Sequence, residues 1–81
     1  MNDMSIITDE QFKQFIDDSK WLQRNYNEII KEFNLEFVAI RNHKVVAHHK
    51  EMNEFERELK QNNIAILDVV VEFIRDKRTE V

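Results

Sequence analysis

The feature that most limits how this 81-residue chain can fold is the absence of both glycine and proline. In an average protein these residues make up about 7% and 5% of the chain, and they supply many of the tight turns. Here the turns must be made by Asn, Asp, Ser or His, which tolerate a left-handed backbone better than other side chains. The expected turns are therefore at Asn34, Asn42, Asn62 and Asn63. They divide the chain into helix, strand, strand, helix and strand.

Composition indicates one soluble globular domain over residues 1–81, with residues 1–7 disordered and residues 76–81 forming a charged tail. The chain is 42% hydrophobic and 35% charged, and no apolar run approaches the roughly 18 residues of a membrane span. The absence of cysteine rules out disulfides and thiolate metal sites. The N-terminus lacks the basic and apolar regions of a secretory signal, so we expect a cytoplasmic location and no membrane contact.

The segment from Thr8 to Phe33 carries an apolar helical repeat. Trp21 does not join this stripe, because on one continuous helix it would point more than about 100° away. We therefore predict a helix break near Ser19, with Asp18 or Ser19 capping the second piece. In the alternative interpretation Trp21 is an aromatic anchor on a surface that faces a partner.

Two β-branched runs, Phe37 to Arg41 and Lys44 to His48, flank Asn42 and His43, which predicts a hairpin with a two-residue turn. If Arg41 pairs with Lys44 and each following residue pairs with the next one on the other strand, one face of the hairpin is apolar and lies in the core. This face carries Val38, Ile40, Val45 and Ala47. The opposite face then carries a mixed set: Phe37, Ala39, Arg41, Lys44, Val46 and His48.

A second helix with an apolar stripe of Met52, Phe55 and Leu59 precedes a last strand, Val69 to Ile74. The sequence thus predicts an α+β fold, α-β-β-α-β, with a three-stranded sheet and the helices packed on one face. Whether the third strand lies beside the first or the second is left open. The uncovered sheet face would be apolar enough to serve as an interaction surface. Its candidate residues are Phe37, Val46, His48, Val70 and Ile74, with Trp21 as a secondary candidate.

Three stretches resemble a small prokaryotic family of domains of unknown function: "WLQRNYNEIIKEF", "FVAIRNHKVVAHHKEMNEFERELKQNNI" and "VVVEFI". Its members read roughly W-L-x-x-N-Y-x-E-L, W-V-A-V-x-x-G-K-V-V-A-H-G, a helix, and V-x-I-E-F. The resemblance spans residues 19–75 and implies an α-β-β-α-β fold, no established enzymatic activity, and a small retropepsin-like protease as a partner. His43 and His49 stand where relatives commonly have glycine, so only His48 can share histidine chemistry with the family.

The residues predict neither a metal site nor catalysis. His43 on the turn would lie about 16 Å from His48, while His48 and His49 point to opposite faces of an extended strand. A metal bridging His48 and its copy in a dimer stays open. Asp17 and Asp18 diverge by about 100° on a helix, and no nucleophile stands beside a recognisable base. We therefore expect no enzyme, no metal and no cofactor.

The sequence predicts which surface of the protein binds a partner. We expect a non-enzymatic interaction module that forms a homodimer or docks a protein partner through the open sheet face. The alternative is weak binding of single-stranded nucleic acid by Phe37, Arg41, Lys44 and His48 on the hairpin. The net charge of −4 disfavours nucleic acid, because affinity for phosphates rests on clustered Lys and Arg.

Overall fold

A computed structural model describes residues 9–76, which form a three-stranded antiparallel sheet and three helices. The elements are α1 (Asp9–Arg24), α2 (Tyr26–Phe33), β1 (Phe37–Ile40), β2 (Val45–His49), α3 (Met52–Gln61), a 3-10 turn (Ile66–Asp68) and β3 (Val70–Phe73). This confirms the α+β class and a sheet made of a hairpin and one further strand. The strand order β2-β1-β3 places the third strand beside the first. The expectations for residues 1–7 and 77–81 lie outside the described residues.

The first helix does not break near Ser19, so that prediction is wrong. Helix α1 continues to Arg24, and the bend falls at Asn25. The backbone N–H of Asn25 lies 3.0 Å from the Trp21 carbonyl oxygen, and its side-chain amide donates to the same oxygen at 2.9 Å. A side chain that bonds its own preceding turn competes with helix continuation. The chain therefore leaves α1 at Asn25, and α2 begins at Tyr26 and packs Ile29 into the core.

The predicted hairpin turn is confirmed. Arg41 and Lys44 exchange both backbone hydrogen bonds, at 2.9 and 3.2 Å, and the two residues between them have positive φ, 54° for Asn42 and 60° for His43. Positive φ at both central positions matches the twist of a two-residue hairpin. Asparagine and histidine thus occupy positions that glycine fills most easily.

The register of the hairpin differs from the prediction beyond its first two pairs. Ile40 lies opposite Val45 as expected, but Ala39 lies opposite Ala47, because the strand carries an irregularity between these pairs. One extra residue on β2 forms a β-bulge, which moves the side chains that follow it to the other face of the sheet. Ala47 therefore packs beside Ala39, and His48 lies opposite Val38.

Helices cover both faces of the sheet, so the prediction that they pack on one face is wrong. The α1 and α2 side of the core contains Leu22, Ile29, Val38, Ile40, Val70 and Ile74. The α3 side contains Ala39, Ala47, Phe55, Leu59 and Val69. The central strand β1 explains this, because Val38, Ala39 and Ile40 are each 0% exposed although they alternate between the two faces. Small side chains at positions 39 and 47 leave room for the Phe55 ring.

None of the helices within residues 9–76 has the length and apolar character needed to cross a membrane.

Candidate functional site

The six residues predicted to form an interaction face do not form one. Val70 and Ile74 are buried beneath α1 and α2. Phe37 and Val46 pack on the other side against α3, where the Phe37 ring centre lies 6.0 Å from that of Phe55. Helix α3 covers much of the side that was expected to be free, and on that side Phe73, opposite Phe37, stays 39% exposed.

His48 lies on the opposite side of the sheet from Phe37. Its Nδ1 is 2.7 Å from a carboxylate oxygen of Glu36, and its ring packs edge-on against Phe33 at a centroid distance of 4.7 Å. The β-bulge accounts for this placement, since it reverses the facing of the strand residues beyond it. Phe37 and His48 therefore cannot share a base-stacking surface with Arg41 and Lys44, and the predicted nucleic-acid platform is not assembled.

The three imidazoles sit beside three different carboxylates. His43 Nε2 lies 2.6 Å from Asp17 Oδ2, His48 pairs with Glu36, and His49 Nε2 lies 3.7 Å from Glu58 Oε1. Each histidine thus belongs to a separate local contact of the hairpin with α1, with the loop before β1, or with α3.

The hairpin turn is held on α1 by a buried carboxylate. Asp18 is 1% exposed, and its Oδ1 accepts the backbone N–H of His43 at 3.0 Å. Its Oδ2 accepts the N–H of Asn42 at 3.2 Å and the side-chain amide of Gln14 at 3.0 Å. Successive N–H groups of a left-handed turn form a concave nest that favours an anion, and Asp18 supplies that anion from within the chain.

Two further contacts complete this arrangement, which we call the turn clip (Asp17, Asp18, Trp21 and His43). The rings of Trp21 and His43 stack with centroids 5.9 Å apart and planes within 9°, and Asp17 hydrogen-bonds His43. Potential metal-ligand atoms of Asp17, Asp18 and His43 lie within 4.8 Å of one another. In this structure the Asp18 oxygens accept the N–H groups of Asn42, His43 and Gln14, and Asp17 lies at a hydrogen-bond distance of 2.6 Å from His43. The geometry is that of a structural clip.

An exposed apolar strip lies on α1, on a side that faces away from the sheet. Phe12 is 57% exposed and Ile16 is 38% exposed. At about 100° per residue they point roughly 80° and 120° away from the buried Leu22. Asp9 and Lys20 share this direction on the wheel and lie beyond the two ends of the apolar pair. We call these four residues the α1 outer face.

Two more exposed apolar residues border the α1 outer face. Phe15 is 49% exposed and Leu67 is 65% exposed, and both line a shallow hollow between α1 and the 3-10 turn. Across this hollow Gln11 donates a hydrogen bond to Asp68 at 3.0 Å. This surface was not predicted, because the apolar helical repeat of residues 8–33, Trp21 apart, was expected to lie largely along one stripe. The visible signal was that Phe12 and Ile16 lie off the line defined by Phe15 and Leu22.

A groove of ≈ 300 Å³ runs between α2 and the edge strand β2. We call it the hairpin groove; its lining residues include Trp21, Glu28, Ile29, Glu32, Phe33, Lys44 and Val45. Its floor is apolar, one wall carries two glutamates, and the turn clip closes one end. The groove could not be predicted from the sequence, because α2 and β2 meet only in the folded chain.

Several residues that carry the family resemblance have architectural contacts. Leu22 lies in the core, Asn25 makes the bend, and the Tyr26 hydroxyl bonds both the N–H and the carbonyl oxygen of Arg75 at 3.2 Å. Trp21 and Lys44 from the same motifs line the hairpin groove. The motif residues of the helical segment thus contact the core and the segment after β3, and Trp21 stacks on His43 of the hairpin.

Comparison with protein families, curated proteins and solved structures finds no match for this chain. The resemblance to the prokaryotic family stays a prediction.

Proposed function

We propose that this chain is a small non-enzymatic interaction module that forms a homodimer, with two copies meeting through the α1 outer face. The observation that carries the proposal is the exposure of Phe12 and Ile16 side by side on one helix. Single exposed apolar residues are normal on a protein surface, but a contiguous set bordered by charges is typical of an association site. Phe15 and Leu67 extend the same apolar surface.

The charge pattern favours a second copy of the same helix as the occupant. Asp9 lies at the start of the outer face and Lys20 near its end, so an antiparallel pair of α1 helices brings the two opposite charges together. In that register Phe12 of one copy lies against Ile16 of the other, and the reverse contact follows by two-fold symmetry. Such an interface is isologous, the usual form of a dimer of identical chains.

The proposed interface is small, which sets the expected affinity. Few residues lie on the outer face, so the buried area falls at the low end of specific interfaces. We therefore expect a reversible dimer with a dissociation constant in the range of about 1–100 μM. Apolar contact supplies most of the attraction, and the Asp9 and Lys20 pairs set the antiparallel direction.

Sedimentation equilibrium over a range of micromolar concentrations tests the proposal. We expect a concentration-dependent dimer for the wild type and a monomer for the double variant Phe12→Glu with Ile16→Glu, because like charges would then meet across the axis. The matched control is Met52→Glu, which also replaces an exposed apolar residue, on α3. It should dimerise as the wild type does. A monomeric wild type, or a dimer that the double variant retains, would contradict the proposal.

A further inference from the structure

We propose a second binding surface: the hairpin groove takes an extended, positively charged peptide segment, which adds as a strand to the free edge of β2. This site is separate from the proposed dimer interface. On α1, Trp21 at the closed end of the groove points about 140 to 180° away from Ile16 and Phe12. A peptide and a second copy of the chain can therefore be bound at the same time, and either proposal can fail without the other.

The backbone of β2 offers hydrogen-bonding groups toward the groove. Strand β2 lies at the edge of the sheet, with β1 as its only neighbour among the described strands. Lys44 exchanges both of its backbone hydrogen bonds with Arg41, so the amide and carbonyl of the next residue, Val45, point to the open side. An extended peptide can pair through its main chain with this edge at Val45, ahead of the bulge that precedes Ala47, while alternate side chains enter the neighbouring groove.

The walls of the groove select the charge of the peptide. Glu28 and Glu32 stand one turn apart on α2, where like charges repel. Glu28 has Lys31 at 3.5 Å, but both side chains are more than 70% exposed, so this pair is weak. Glu32 has no ion-pair partner within residues 9–76. A cationic side chain placed between the two carboxylates would relieve their repulsion.

The floor and the ends of the groove determine which other side chains the bound peptide must carry. Ile29, Phe33 and Val45 form an apolar floor that suits the stem of an arginine or lysine side chain or a β-branched residue. Lys44 lies at the end near the turn clip, so the cation must sit toward the Phe33 end. The expected ligand is therefore an extended segment that alternates basic and β-branched residues.

Trp21 provides a direct readout, since it is the only tryptophan of the chain and lines the groove. The probe is a capped eight-residue peptide of alternating arginine and valine, titrated into the full chain while Trp21 emission is followed. We expect a saturable change in emission. A capped peptide of alternating glutamate and valine should give none, and a version of the basic peptide with every backbone amide N-methylated should bind at least tenfold more weakly, because neither of its edges can then donate N–H groups to β2.

The variant Glu28→Gln with Glu32→Gln should weaken binding of the basic peptide about tenfold, the combined effect of two surface ion pairs. The control Glu10→Gln with Glu56→Gln changes the net charge equally on α1 and α3 and should bind as the wild type does. The proposal is overturned by any of three results: no saturable change with the basic peptide, equal binding of the N-methylated peptide, or equal weakening by the control variant. The last result would indicate general attraction to an acidic protein.

Discussion

Replacing Phe55 by alanine is expected to lower the free energy of unfolding by about 3–5 kcal/mol, the usual range for removing a buried phenylalanine side chain. Phe55 is 0% exposed and packs on the small Ala39 and Ala47, with the Phe37 ring beside it. An 81-residue domain has a total stability of roughly 4–12 kcal/mol. The alanine variant is thus expected to lose much of its stability, and urea unfolding followed by circular dichroism measures the loss.

Two further variants make this result specific to the covered sheet face. Phe55→Leu keeps most of the buried volume and should cost less than the alanine change, so a value can be measured even if the alanine variant does not fold. Phe15→Ala removes the same side chain from a half-exposed position and should cost about 1 kcal/mol or less. Equal losses for Phe15→Ala and Phe55→Ala would contradict the packing of α3 on the sheet.

Replacing Asp18 by alanine is expected to cost about 3 kcal/mol, because it removes a charged acceptor and leaves two turn amides without their partner. The backbone N–H groups of Asn42 and His43 both lose their acceptor, and so does the Gln14 side chain. In a domain of this size that loss corresponds to a fall in Tm of about 12–24 °C. Thermal unfolding by circular dichroism or calorimetry measures it.

The neighbouring aspartate is the matched control for this prediction. Asp17 makes one hydrogen bond to His43 with a side chain that is 56% exposed, so Asp17→Ala should cost less than about 1 kcal/mol. Asp18→Asn keeps one oxygen acceptor and should fall between the two alanine variants. If Asp17→Ala were as costly as Asp18→Ala, the buried carboxylate would not be what holds the turn.

In the hairpin, the position of the turn could be predicted from the sequence, but the pairing of the two strands could not. The turn at Asn42 and His43 could be predicted, since only residues that tolerate positive φ can close a two-residue loop. The bulge in β2 could not, because it is set by which side chains fit beneath α3. That one-residue shift moved His48 away from Phe37 and removed the predicted surface.

The prediction for the helical segment was incomplete for a related reason. Its apolar residues were correctly placed in helices, but the bend depends on a local hydrogen bond from Asn25 to the Trp21 carbonyl oxygen. The role of Asp18 depends on a contact with a turn 24 residues further along the chain. Contacts between distant segments leave no periodic signal, and so both the α1 outer face and the hairpin groove appear only in the folded chain.

The proposed dimer, in which two copies meet through antiparallel α1 helices, can be detected by crosslinking of single cysteine variants. The chain has no cysteine of its own, so Asp9→Cys and Lys20→Cys can each be made as the sole thiol. Mixed with a short bismaleimide, the two variants should form crosslinked mixed dimers faster than either variant alone. A mixture of Lys20→Cys with Glu56→Cys, on α3, should crosslink only at the background rate. Crosslinking of the Asp9→Cys and Lys20→Cys mixture no faster than that background would contradict the proposed dimer.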